Sequence, residues 1–384
     1  MAATVGSIAD TTTFDEARTA AGDYLESRLC PKDIAGNDSH IPFAIPTIDL
    51  NPSFSSSMED RRAVAAQINA ACVNSGFFYI TNHSTPASAC EGILTQAQAF
   101  FHELPKEKKE AIHMKQSALH RGWEPPEYTS IHGQAETKEG FNWGYETGLD
   151  LDAPDGKYVE LDGTSPSTLP GGTANLWPEE KDIPGFYEGI RNYYGGVLRL
   201  ARHLMRLFAL SLDLDESYFD DMVSHPGGIA RLMYYPAARE ELGDGSEDAL
   251  GLGAHSDYEC FTLLLPSSTP GLEVLSPNAE WISLPVVPGG IIVNIADFFM
   301  RWTNGIYKST VHRVINHSRE PRYSVPFFFS VNYDQVVETL PSCITPSNPS
   351  RYPPIRAGHY ILERANATTK DGAGSYGNSD FRES

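Results

Sequence analysis

The chain has 384 residues, 41% of them hydrophobic, and its 29 Lys plus Arg against 50 Asp plus Glu give a formal net charge of −21. That apolar content suffices for a large core. Length alone permits several domains, although barrels and sandwiches of about 250 residues often fold as one unit. So acidic a surface repels phosphate backbones and anionic lipid, which argues against nucleic-acid and membrane partners and leaves an anionic ligand to a few local cations.

The first thirty residues contain Asp10, Asp15, Glu16, Asp23 and Glu26 and no apolar core of signal-peptide length. No stretch approaches the roughly 20 apolar residues that span a bilayer, so a soluble, cytoplasmic protein is expected. Cys30, Cys72, Cys90, Cys260 and Cys343 show no C-x-x-C spacing, which fits reduced thiols.

Residues 1–44 are rich in small and polar types and read as an N-terminal arm. Ile45–Leu50 reads as a short strand. A helix should follow with Ser57 as N-cap and Asp60 three residues on, burying Val64, Ile68, Ala71 and Cys72, and Gly76 should end it. Phe77–Thr81 reads as a strand. A second helix opens near Pro86 and carries Ala89, Ile93, Leu94, Ala97, Phe100 and Phe101 at helical spacing. Residues 147–185, dense in Gly, Pro, Asp and Ser, are expected to form a long surface loop. A third helix should run from about Phe186 to Leu212, completing an N-terminal part over 45–215. Arg199, Arg202, His203 and Arg206 fall largely opposite its apolar stripe, as a solvated face does more often than an anion site.

From Ile229 to about residue 334 short apolar runs alternate with Pro, Gly and Asn, with no helices between them: Phe261–Leu265, Gly290–Ile295, Ser309–Val314 and Tyr323–Val331. Such texture argues for a sandwich or barrel. Residues 350–364 read as a closing helix and 365–384 as a disordered tail.

Within that β region, His255-Ser256-Asp257 precedes an apolar strand, and alternate side chains of a strand share a face. One H-x-D is weak, but Thr310-Val311-His312-Arg313-Val314 adds a second imidazole from another strand. Two imidazoles and one carboxylate are the facial set of non-haem Fe(II), which keeps coordination positions open. Zinc could use the same donors, but a structural zinc site is normally closed by a fourth ligand. Ten residues beyond His312 stand Arg322 and Ser324, again sharing a strand face. A buried Arg needs an anion; taken alone it would pair with an internal Asp or Glu, but following the iron set it favours a cosubstrate carboxylate. Tyr235 could add a hydroxyl, and an ordinary core tyrosine explains it equally well.

These residues carry a family resemblance over roughly 45–364. Ile45–Leu50, Gly76–His83, Phe100–Pro105, Ala254–Asp257, Val293–Asp297, Lys308–Val314 and Arg322–Ser324 resemble the isopenicillin-N-synthase-like branch of the 2-oxoglutarate/Fe(II) dioxygenases. Lys138–Phe141, Trp177-Pro178 and Arg231–Pro236 look most like its fungal, thymine-hydroxylase-like members. The resemblance implies an α+β fold, a double-stranded β-helix (jelly roll) core with flanking N-terminal helices, in one catalytic domain. It implies that His255, Asp257 and His312 bind iron, and that Arg322 and Ser324, with Tyr235, bind 2-oxoglutarate. Met233, where the family often has Asn, removes one polar contact from that second pocket, and Ala296 and Ser84 stand where Gly is common.

The implied reaction consumes O₂, decarboxylates 2-oxoglutarate to succinate and oxidises a C–H bond of a small organic substrate, by hydroxylation, desaturation or ring formation, in fungal secondary or nucleobase-type metabolism. Two alternatives stand beside it. One is an oxidase that does not use 2-oxoglutarate; the other is a non-catalytic, cupin-like small-molecule binder. Phe141, Trp143, Phe299, Trp302 and Phe329 could line an aromatic pocket, but core packing is the commoner fate of such rings.

Overall fold

The computed structural model describes residues 43–131, 134–152, 155–169, 172–238 and 250–366. Nearly all of the N-terminal arm and of the expected tail lies outside the described residues, as does Cys30. In chain order the strands are β1 (Thr47–Asp49), β2 (Phe77–Thr81), β3 (Gly122–Glu124), β4 (Ser130–Ile131), β5 (Gln134–Ala135), β6 (Glu139–Trp143), β7 (Gly228–Tyr235) and β8 (Leu250–His255). They continue as β9 (Phe261–Pro266), β10 (Leu272–Leu275), β11 (Trp281–Ser283), β12 (Ile291–Ile295), β13 (His312–Ile315), β14 (Arg322–Phe329), β15 (Val336–Val337) and β16 (Ile355–Arg356). The helices are α1 (Met58–Asn74), α2 (Ala87–His102), α3 (Lys106–Ala111), α4 (Phe186–Ser211), α5 (Asp297–Trp302) and α6 (Ala357–Asn366).

An eight-stranded sheet has the order β1-β2-β12-β9-β14-β7-β6-β3, and a four-stranded sheet the order β11-β10-β13-β8. The β1–β2 pair is parallel and every other neighbour in the two sheets antiparallel. Strand alternation divides the large sheet into two faces. Leu263, Val293, Val325 and Phe327 pack with the helices into the main core. Met233, Tyr235, Leu264 and Ile292, one residue out of phase with that set, join Leu272, Val274 and Val314 of the small sheet in a second core. This sheet-on-sheet layer is the jelly-roll interior, and it positions the candidate site.

Local signals explain most boundaries. Ser57 caps α1, its Oγ accepting from the Asp60 N–H at 3.4 Å, and Val64, Ile68, Ala71 and Cys72 are buried as their spacing predicts. Gly76 then turns the chain at φ +68°, where a Cβ would lie 2.0 Å from the Lys308 carbonyl oxygen. Gly76→Ala should therefore destabilise the protein by at least about 1–3 kcal/mol, the usual cost of a strained backbone, in chemical denaturation. The four basic residues opposite the apolar stripe of α4 are all engaged internally: Arg199 with Asp152, Arg202 with Asp150, Arg206 with Asp220, and His203 with Ser53.

Several expectations need correction. The closing helix begins at Ala357, not 350, because Pro353 and Pro354 hold the preceding backbone extended, and it runs on to Asn366. The β region does contain a helix, α5, between β12 and β13. Strand β13 starts at His312 rather than at Ser309. The 147–185 segment is no surface excursion, since Leu149, Tyr158, Leu161 and Ile183 are buried. Strands β3 and β6, which widen the large sheet, and the short helix α3 were not foreseen.

Candidate active site

His312 and His255 are direct cross-strand partners on β13 and β8, and their rings lie 4.3 Å apart. Asp257 follows just beyond the end of β8. Its Oδ1 is 3.5 Å from His255 Nε2 and 3.6 Å from His312 Nε2, and one donor atom from each of the three residues falls within 4.8 Å of the others. The remaining atoms of the trio are already engaged. His255 Nδ1 donates to the Gly253 carbonyl at 2.8 Å and His312 Nδ1 to that of Thr310 at 3.2 Å, which leaves both Nε2 lone pairs bare. Asp257 Oδ2 accepts from Thr262 Oγ1 at 2.5 Å and from Asn294 Nδ2 at 2.8 Å, leaving Oδ1 to face the imidazoles.

The electrostatics suit a cation. Burial would raise the Asp257 carboxyl, but the imidazoles and the Asn294 hydrogen bond hold it well below the usual carboxylate range. Burial, helped by His255, pushes His312 down to about 4, so it stands neutral as a ligand must. Burial would also lower His255, but Asp257 more than offsets it. Two nitrogens and one oxygen gathered on one side of a buried cavity fit a non-haem iron ion.

Thr262 and Asn294 project from the large sheet on the face that carries Leu264 and Ile292. Neither was given a role from the sequence, where Asn294 stood only within the Val293–Asp297 landmark, although a polar Asn inside Ile291–Ile295 was the available signal. Asn294→Ala or Thr262→Val removes one of the two hydrogen bonds that hold Asp257 Oδ2, and iron affinity measured by equilibrium titration should fall roughly 10- to 100-fold.

Arg322 lies in the same cavity, of about 220 Å³, as the trio. It is only 1% exposed, and its Nη1 donates to Ser324 Oγ at 3.2 Å. Tyr235 is its cross-strand partner, with the ring centre 4.9 Å from the guanidinium carbon. Burial lowers the arginine's pKa and Tyr235 compensates in part. Among the described residues no carboxylate pairs with Arg322, and its Nε has no hydrogen-bond partner. Met233, opposite Ser324, supplies only an apolar wall.

The other wall is charged. Lys138 Nζ reaches Glu124 at 2.5 Å and Glu136 at 3.0 Å, and Arg231 binds Glu124 and, at 2.7 Å, Asn142. Burial raises Glu124, but Lys138 and Arg231 outweigh it and bring the carboxyl down to about 2. Glu136 in turn accepts from the Gly253 N–H at 3.1 Å, beside the carbonyl that orients His255. None of this wall was foreseen beyond Lys138 and Arg231 as landmarks of the resemblance. The aromatic quintet Phe141, Trp143, Phe299, Trp302 and Phe329 lies in the main core, away from the cavity.

Comparison with known proteins agrees with this geometry. Residues 45–180 match the family described as the non-haem dioxygenase in morphine synthesis N-terminal, and residues 226–331 match the 2OG-Fe(II) oxygenase superfamily. A 2-oxoglutarate-Fe(II) type oxidoreductase of Emericella nidulans, hxnY, is 35% identical over 320 residues, which is 82% of this chain and 87% of that protein. The 2-oxoglutarate-dependent dioxygenase traH of Penicillium crustosum is 33% identical over 299 residues, 76% of this chain and 85% of its own length. The thymine-7-hydroxylase of Neurospora crassa, solved with alpha-KG and thymine, superposes with a TM-score of 0.72 at 27% identity, covering 87% of this chain and 99% of the other. Fold, donor set and relatives together make the chain a member of the 2OG-Fe(II) oxygenase superfamily, an α+β, jelly-roll enzyme that uses Fe(II), 2-oxoglutarate and O₂ to oxidise small molecules.

Proposed function

We propose that His255, Asp257 and His312 hold the iron, that Arg322 and Ser324 bind the far carboxylate of 2-oxoglutarate beside Tyr235, and that residues 45–364 act as one catalytic unit. Bound iron supplies the redox chemistry, coupling decarboxylation of 2-oxoglutarate by O₂ to oxidation of a substrate C–H bond. The protein's part is to orient and to exclude water. Arg322 and Ser324 fix one end of the cosubstrate, the apolar Met233, Leu264 and Val314 dry its flanks, and Thr262 and Asn294 keep one Asp257 oxygen turned to the metal.

The observation that carries this reading is the buried Arg322, which shares a cavity with the trio and has no carboxylate of the chain beside it among the described residues. The substrate is a small organic molecule of secondary or nucleobase-type metabolism, the class to which the thymine held by the Neurospora crassa enzyme belongs. With a net charge of −21, nucleic acid and anionic membrane are not partners, and the cytoplasm is the working compartment. No helix among the described residues is long and apolar enough to cross a membrane.

The test needs no substrate. Iron-loaded protein incubated with 2-oxoglutarate and O₂ should release succinate slowly, and the His312→Ala and Arg322→Ala variants should not at the same cosubstrate concentration. Succinate release at parental rate in either variant would remove that residue from the site.

A further inference from the structure

A second set of unsatisfied groups sits in the same cavity, apart from the iron trio and Arg322. Arg121 is 1% exposed and lines the cavity; its Nε has no hydrogen-bond partner and its Nη2 has only the Glu160 carboxylate, 3.6 Å away. Its guanidinium is built in rather than loosely packed, since a Cβ on Gly144 would lie 2.3 Å from Nη2. Glu259, 3% exposed, lines the cavity too, and its Oε2 lacks any partner while Oε1 accepts only a 3.5 Å bond from the Tyr333 hydroxyl. A buried donor and a buried acceptor both left unmade are costly, and in native proteins such orphans ask for an explanation. Arg121 can only donate, whereas the Glu259 carboxyl can accept, so one ligand can satisfy both.

Resting on the function proposed above, we infer that this part of the cavity binds the amide edge of a neutral substrate, with Arg121 donating to its carbonyl oxygen and Glu259 accepting from the adjacent N–H. The substrate class is thus a lactam, a cyclic imide or a similar planar amide. An anionic substrate fits less well. Glu160 Oε2 already lies 3.6 Å from Arg121 Nη2, so an added carboxylate would meet an acidic side chain at the same guanidinium. A purely apolar substrate fits worst, because it would leave both orphans buried and unpaired.

The experiment uses the full chain loaded with iron, kept free of oxygen, with and without 2-oxoglutarate. Three probes are titrated by calorimetry: 2-quinolone, quinoline-2-carboxylate and quinoline. The lactam 2-quinolone should bind at least tenfold more tightly than the other two, and Arg121→Met and Glu259→Leu should each erase that preference while iron affinity holds. Should Arg121→Met fail to fold, Arg121→Lys keeps the charge and most of the volume, and its point charge should retain only part of the preference. Tighter binding of the carboxylate, no binding of 2-quinolone by the parent, or an intact lactam preference in a folded Arg121 variant would each overturn the inference. The readout needs neither turnover nor cosubstrate. An error in the Arg322 assignment would therefore appear separately, as 2-oxoglutarate affinity insensitive to Arg322 with the lactam preference unchanged.

Discussion

Asp257→Asn should abolish turnover and weaken iron binding by more than the roughly 10- to 100-fold expected for its supporting partners. The substitution keeps shape and volume but removes the only carboxylate, among the described residues, that faces the two Nε2 atoms. Two neutral imidazoles then remain for a dication in a buried site, without the anion that compensates its lost hydration. The amide also disturbs the support, because Thr262 and Asn294 both donate to Oδ2 and an –NH₂ group turned toward them accepts from neither. Donors left unpaired in the interior cost about 1–3 kcal/mol, so the metal-free variant should melt somewhat lower and still fold. Iron retained at parental strength would show that the ion sits elsewhere.

Arg322→Ala should raise the apparent 2-oxoglutarate requirement by roughly 10²- to 10³-fold or more. The figure comes from the cost of removing one member of a buried ion pair, about 3–5 kcal/mol, at about 1.4 kcal/mol per decade. The chain supplies no carboxylate to Arg322 among the described residues, so the unliganded protein holds a dehydrated cation that the cosubstrate neutralises. Its removal should leave the stability of the unliganded protein almost unchanged. Iron affinity should also hold, and Arg322→Lys should rescue only in part, since an ammonium lacks the planar fork. A large loss of stability with unaltered cosubstrate dependence would instead assign Arg322 a structural partner.

The residues that proved legible from the sequence are those whose pattern is short-range. His255 and Asp257 lie two apart, as do Arg322 and Ser324; alternation along β14 makes the second pair neighbours, and Asp257 follows just past the end of β8. Helices α1, α2 and α4 declared themselves through apolar spacing and, for α1, through the Ser57 cap. What escaped was set by long-range pairing. Arg121 and Glu259 are 138 positions apart, and nothing local to either distinguishes a cavity-lining charge from a solvated one. Glu124 and Lys138 sit in strands and turns too short and too polar for a periodic signal, and only registry with β7 brings Arg231 against them. The aromatic quintet lies in the core, the fate its ring size favoured, since such rings fill a core far more often than they line a ligand site.

The charged wall of the cavity has a consequence for how this enzyme can diverge. Lys138, Arg231, Glu124 and Glu136 balance one another, two cations against two anions, and three of the four are almost wholly excluded from water. Neutralising one strands its partner, at about 3–5 kcal/mol, which is a large part of a typical protein's stability. Neutralising Lys138 together with Glu136 leaves the Glu124–Arg231 pair intact and can even stabilise. New pocket shapes on this scaffold are therefore reached by matched double steps, with single steps closed off by unfolding. A library that varies these positions one at a time would recover mostly lost protein, whereas one that varies them in opposite-charge pairs would recover folded variants with altered substrate choice.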